Sequence, residues 1–183
     1  MNQASRRSWL VPVLPAAIQP GTVLPLRGVP HRIVHRAGER GTVWTETRDS
    51  GEKILCVAGG AEHMERRVHD YLKREARKDL QKASLAYAGE LGVRVKRVSI
   101  RDQSSRWGSC TAAGSLSFSW RLILAPPFVL DYLAAHEVTH IVHMNHSPMF
   151  WKLTRRLFPE TDRAEAWLKA NGADLHRFGA VAA

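Results

Sequence analysis

The chain has 183 residues, 44% of them hydrophobic, which is enough for one core of ordinary size with a small flanking subdomain, so it need not oligomerise to fold. Its 27 Lys plus Arg against 17 Asp plus Glu leave a formal charge of +10, which favours acidic surfaces, nucleotides or nucleic acid without identifying any of them. Two cysteines, Cys56 and Cys110, belong to no CxxC pair and read as reduced thiols of a cytoplasmic protein rather than a disulfide framework.

Residues 1–21 form an N-terminal extension that carries Arg6 and Arg7. Pro12, Pro15 and Pro20 interrupt its apolar run, so neither a secretory signal nor a membrane span is expected. Over 22–60, extended segments near 23–26, 31–35, 42–46 and 53–57 alternate with glycine-bearing turns, and a small antiparallel β subdomain is expected. A long helix follows over about 61–88, with stops at Gly89 and Gly92. Its Arg66, Arg67, Lys73, Arg74, Arg77, Lys78 and Lys82 are interleaved with apolar residues. They read first as the solvated side of an amphipathic helix, and second as a surface open to nucleic acid.

Val93, Val95, Val98 and Ile100 mark a strand, and Leu116, Phe118 and Trp120 alternate with serines in another, large side chains inward and serines outward. Between them lies a loop in which Trp107 is expected to plug the core and Gly108 to make the turn. In the same loop Arg106 can hold an oxygen-rich substrate, and Ser109 or nearby backbone donors can meet developing negative charge. Pro126 and Pro127 open a further helix, and two more are expected over 148–157 and 160–169, the last stopped by Asn171 and Gly172. The pattern is α+β, with helices packed on a small twisted sheet, a main domain over 61–178 and a tail over 179–183.

The helix opened by Pro126 and Pro127 carries most of the chemistry. His136, Glu137 and His140 form HEVTH within an apolar stretch. Four residues of helix bring the two imidazoles to one face about 6 Å apart along the axis, where both can reach one zinc ion. Glu137 can then face a water on that ion and take its proton. A catalytic zinc needs a third protein ligand, from His143 or His146. On an unbroken helix His136, His140 and His143 span about 10.5 Å in near line, too far for three bonds of about 2 Å to meet. His146 is favoured, through a turn at Met144 and Asn145 in which Asn145 takes the left-handed conformation and Ser147 with Pro148 starts the next helix.

Taken together, the segment Ser105 to Cys110, Trp120-Arg121-Leu122, Ala125-Pro126, Asp131-Tyr132, His136-Glu137 to His140, and Asn145-His146-Ser147 to Phe150-Trp151 resemble the YgjP-like family of zinc-dependent hydrolases. The resemblance runs over nearly the whole chain. It implies a zincin-like metallopeptidase fold, zinc on His136, His140 and His146, and Glu137 as base. Relatives often carry asparagine where Ser119 stands here. Both a metallopeptidase and a UTP pyrophosphatase activity are attached to the family, so the substrate is a polypeptide or a nucleotide. In the first case the exposed edge of the strand over 116–120 would align the peptide. In the second, Arg106, Arg121 and the basic helix would neutralise phosphate. A basic binding module with a structural zinc is the alternative outside enzymes, though such a site needs a filled fourth position and no base.

Overall fold

The computed structural model describes residues 16–103 and 105–179. The expected N-terminal extension therefore lies outside the described residues up to residue 15, as do Ser104 and the tail from residue 180. Strands β1 (Val23–Leu26) and β2 (Val29–Arg36) form a hairpin whose two-residue turn places Arg27 at φ 51° and Gly28 at φ 73°. Two successive positive φ values give the turn whose twist matches that of paired strands. Strands β3 (Val43–Thr47) and β4 (Lys53–Ala58) complete the sheet in the order β1-β2-β4-β3.

The all-antiparallel subdomain expected from the sequence is corrected here, because β4 pairs parallel with β2 and antiparallel with β3. The cause lies in the composition of β4. Ile54, Leu55, Cys56 and Val57 are all buried, and a run buried on both faces belongs in the centre of a sheet rather than at its edge. The sheet shares its core with the rest of the chain: Leu24, Leu26, Ile33, Val43, Leu55 and Val57 join one cluster with Leu72, Phe118, Trp120 and Val138.

A short 3-10 turn, Ala61–His63, leads into α1 (Met64–Leu91), which buries Met64, Val68, Leu72, Ala76 and Leu80 at a helical spacing. The helix passes through Gly89 and stops at Gly92, whose φ of 64° is the left-handed cap that glycine adopts without strain. The Arg27 guanidinium reaches across to Asp79 at 2.7 Å and Glu75 at 2.9 Å on α1. Its backbone N–H and that of Gly28 donate to the carbonyls of Ile123 and Leu124. One turn thus ties the first sheet both to α1 and to the segment that launches the metal-site helix.

The second sheet has the order β5-β7-β6, from β5 (Arg97–Arg101), β6 (Gly108–Cys110) and β7 (Ser115–Ser119). Val98, Ile100, Leu116 and Phe118 share the inner face through their register. Of the serines expected outward, Ser115 and Ser117 are half-buried and Ser119 is fully buried, where its hydroxyl accepts the Arg121 N–H and caps a 3-10 turn, Trp120–Leu124. Gly108 is not the turn residue expected. It lies within β6, a strand too short for the sequence pattern to show.

Pro127 starts α2 (Pro127–Val142), followed by α3 (Pro148–Leu157) and α4 (Thr161–Leu175). Helix α2 is apolar nearly all round and correspondingly buried: Val129, Leu130, Leu133 and Val138 each gain about 1.5–3 kcal/mol from burial before chain entropy is counted. Helix α4 does not stop at Asn171 and Gly172. The Asn171 amide donates to the Trp167 carbonyl, and Gly172 gives room to Trp107, whose Cζ2 would lie 3.0 Å from any Cβ there. The whole is an α+β fold, a mixed N-terminal sheet packed against the helices that follow, consistent with a zincin-like metallopeptidase. Among the described residues no helix is long and apolar enough to cross a membrane.

Candidate metal centre

His136 and His140 stand one turn apart on α2, with ring centroids 5.0 Å apart. His143 then leaves the helix in an extended conformation (φ −130°, ψ 101°). The left-handed Asn145 expected from the sequence is not found, since Arg27 is the sole non-glycine residue with positive φ among those described. Instead the extended His143 turns the chain. Ser147 then restarts it, its hydroxyl accepting the Phe150 N–H with Pro148 at the first helical position. His146 swings back so that its Nε2 lies 3.1 Å from Nε2 of His136. One nitrogen from each of His136, His140 and His146 lies within 4.8 Å of the others. The ring of His143 is not in this group; its carbonyl accepts a hydrogen bond from Nδ1 of His140 at 3.0 Å.

The surroundings keep the His136 and His140 rings neutral, the form that binds metal. Burial pushes His136 down to about 3, with His140 and His146 adding to the effect, and burial also lowers His140. Phe150 lies against His140 at 4.4 Å between centroids, and Trp151 stacks on His146 at 5.5 Å and 27°. Nδ1 of His136 meets the Tyr132 hydroxyl at 3.2 Å, and that hydroxyl donates to Oε1 of Glu165 at 2.9 Å. Tetrahedral zinc at 2.0–2.1 Å separates its ligand atoms by about 3.3–3.4 Å, close to the His136 to His146 spacing. Three imidazole nitrogens grouped within 4.8 Å are a donor set of the kind that zinc accepts.

Glu137 is 4% exposed. Burial pushes its carboxyl up to about 8, and the charge of the exposed Arg106 opposes the shift. It borders a cleft of about 330 Å³ lined by Trp107, Gly108, Tyr132, His136, Glu165 and Leu168 among others. Gly108 has no side chain where Glu137 needs space, because a Cβ there would come 2.5 Å from Oε1. A larger cleft of about 470 Å³ lies between α1 and the start of α2, bordered by Arg27, Tyr87 and Asp131, and touches none of the three histidines.

The strand over 116–120 does not offer the exposed edge expected, since β5 and β6 flank β7 on both sides. The free edge beside Glu137 belongs to β6. The Ser119 N–H donates to the Trp107 carbonyl and the Thr111 N–H to the Ser115 carbonyl. Antiparallel alternation then turns the backbone groups of Gly108 and Cys110 away from β7. Ser109 points its side chain to the opposite face from Gly108, on the side of Ser117. Cys110 lies on the Glu137 side, where burial and that carboxylate push its thiol up to about 11.

Two further expectations are corrected. Arg121 is buried, pairs with Asp102, donates from Nε to the Phe178 carbonyl at 3.2 Å and lies over the Trp120 ring, so its charge is already engaged away from the cleft. Trp107 is half-buried rather than a core plug, tilted against His176 at 4.8 Å and forming one wall of the cleft. The sequence reading missed β6 as a strand and the pairing of Tyr132 with Glu165. Tyr132, four residues before His136, shares its helical stripe and was open to discovery; Glu165 comes from another helix and carried no local signal.

No curated protein matches the chain. Among solved structures it is similar to the crystal structure of the metallopeptidase zymogen of Pyrococcus abyssi abylysin, with 19% identity, a TM-score of 0.46, and coverage of 54% of this chain and 97% of that one. The family model described as YgjP-like, metallopeptidase domain, matches residues 4–171, a span that takes in both sheets, the histidine cluster, Glu137 and the β6 edge. With nearly its whole length inside that match, the chain belongs to the YgjP-like family, zinc-dependent hydrolases of metallopeptidase type.

Proposed function

We propose that this protein hydrolyses peptide bonds, with zinc held by His136, His140 and His146 and Glu137 acting as general base. The observation that carries this reading is the buried Glu137 carboxylate between the histidine cluster and the free β6 edge. When bound, zinc supplies Lewis acidity that lowers the pKa of water towards about 7 and polarises the oxygen under attack. Glu137 takes the proton at its carboxylate and returns it to the leaving amine. An extended peptide pairs with the outward backbone groups of Gly108 and Cys110, while Trp107 and Leu168 shelter an apolar side chain and exclude water. Arg106 stands at the rim, where it steers a carbonyl or carboxylate of the substrate.

The electrostatics of the cleft favour peptide over UTP. Glu137 and Glu165 both line it, Arg121 is engaged with Asp102, and Arg106 alone among the three expected cationic contacts acts electrostatically on Glu137. The test is one parallel assay of zinc-loaded wild type and Glu137→Gln on a mixed peptide library and on nucleoside triphosphates. Wild type is expected to cleave peptides and the variant to lose at least about 100-fold in rate with zinc retained. Glu137-dependent pyrophosphate release without peptide cleavage would overturn the peptidase reading. Stoichiometric zinc without either activity would leave a structural zinc module.

A further inference from the structure

We infer that Tyr132 and Glu165 form a positioning relay that selects the tautomer of His136 and so tunes the affinity of the histidine cluster for metal. The Tyr132 hydroxyl meets His136 at Nδ1, whereas Nε2 is the nitrogen that faces His146, so both residues act through His136. A phenol carries one hydroxyl proton and a carboxylate accepts only. The Tyr132 hydroxyl donates that proton to Oε1 of Glu165 at 2.9 Å, so towards Nδ1 of His136, 3.2 Å away, it can only accept. His136 must then carry its own proton on Nδ1, which leaves the Nε2 lone pair facing the cluster.

The same logic applies independently at His140, whose Nδ1 meets the His143 carbonyl, an acceptor with no proton to give. Both helix histidines are thereby locked with Nε2 free. The routes differ: His140 uses backbone from the end of its own helix, while His136 depends on a side chain from α4. Tyr132 is held rigidly for this task, 4% exposed and packed against Phe158 with centroids 6.3 Å apart. Glu165 is half-buried and has no ion pair among the described residues, so its acceptor capacity is directed at the phenol. Outer partners of this kind typically set metal affinity by about 10–100-fold.

A consequence distinguishes the relay from ordinary packing. Removing Glu165 does not merely loosen the phenol; it frees the phenol proton to turn towards Nδ1 of His136, which favours the tautomer with hydrogen on Nε2. Loss of the carboxylate should therefore harm the site only while the Tyr132 hydroxyl is present. In Tyr132→Phe, no hydroxyl remains to invert, and removing Glu165 should change little further.

The inference builds on the metal reading above, but its first readout needs no metal. Nitrogen-15 NMR of the chelator-treated full chain reports the His136 tautomer directly. Wild type should show Nδ1–H, Glu165→Ala a shift towards Nε2–H, and Glu165→Gln, whose amide oxygen still accepts, a pattern near wild type. Competition with a zinc chelator should show Glu165→Ala binding zinc about 10–100-fold more weakly in the wild-type background. In the Tyr132→Phe background the further loss should be under about twofold, the signature of coupling through one hydroxyl. An unchanged His136 tautomer in Glu165→Ala, or a full loss of affinity in both backgrounds, would overturn the relay. If His136→Ala binds zinc as tightly as wild type, the metal reading fails instead, and the tautomer measurement still decides the relay.

Discussion

Glu137 provides the most quantitative test of the site, because a carboxylate buried on the same helix as His136 and His140 makes the metal-free protein sensitive to pH. Its carboxyl moves from an ordinary 4.5 to about 8 through burial. Between those values the folded protein holds a proton that the unfolded chain has released, so stability falls as pH rises and the loss is complete above about 8. At about 1.4 kcal/mol per pH unit the cost approaches about 5 kcal/mol. Glu137→Gln removes the ionisation while keeping the shape of the side chain. His136, lowered from 6.5 to about 3, makes stability rise with pH across that lower interval, but it does so in both proteins and cancels from their difference. Denaturant unfolding of chelator-treated wild type and Glu137→Gln at pH 5, 6, 7 and 8 should show the variant gaining several kcal/mol over wild type across the series. Restoring zinc should shrink the gap, since a nearby cation favours the ionised carboxylate. A stability difference that stays constant from pH 5 to pH 8 would refute the reasoning, because it would mean that Glu137 is already solvated.

The ligand set makes a second prediction: zinc content measured after dialysis should fall sharply in His136→Ala, His140→Ala and His146→Ala and persist in His143→Ala, whose ring is not part of the cluster. Loss in His143→Ala with retention in His146→Ala would reverse the assignment. The two tryptophans should separate core from cleft. Trp120 is fully buried, so Trp120→Ala should cost about 3–5 kcal/mol in a denaturant melt, whereas half-buried Trp107→Ala should cost about 1–2 kcal/mol and mainly raise KM for a confirmed substrate. Equal destabilisation by both would place Trp107 in the core after all.

What local sequence determines here follows from periodicity and backbone chemistry. The strands near 23–26, 31–35 and 42–46 and the long helix were legible because period-two and period-3.6 patterns bury one face of each, while the strand near 53–57 and the helix beginning at Pro127 showed as apolar runs bounded by glycine or proline. HEVTH was legible from the helical period, since four residues of helix necessarily bring His136 and His140 to one side. Geometry on that helix also disfavoured His143, and the chain does bring His146 to the cluster, though it turns through an extended His143 rather than a left-handed Asn145.

Tertiary structure decided what depends on neighbours distant in the chain. The buried run in β4 could be read as a strand, but its insertion between β2 and β3 follows from the need to cover both its faces. Gly108 read as a turn residue because glycine usually serves the backbone; here its missing Cβ leaves room for Glu137, twenty-nine positions later. Gly172 read as a helix stop and is a helix-interior residue that admits Trp107, a contact no local pattern encodes. Arg121 looked available to a phosphate until folding placed Asp102 against it. A sequence states which groups exist and how they repeat, while proton direction at His136 depends on a carboxylate thirty-three residues from Tyr132, which only packing of α4 on α2 brings within reach.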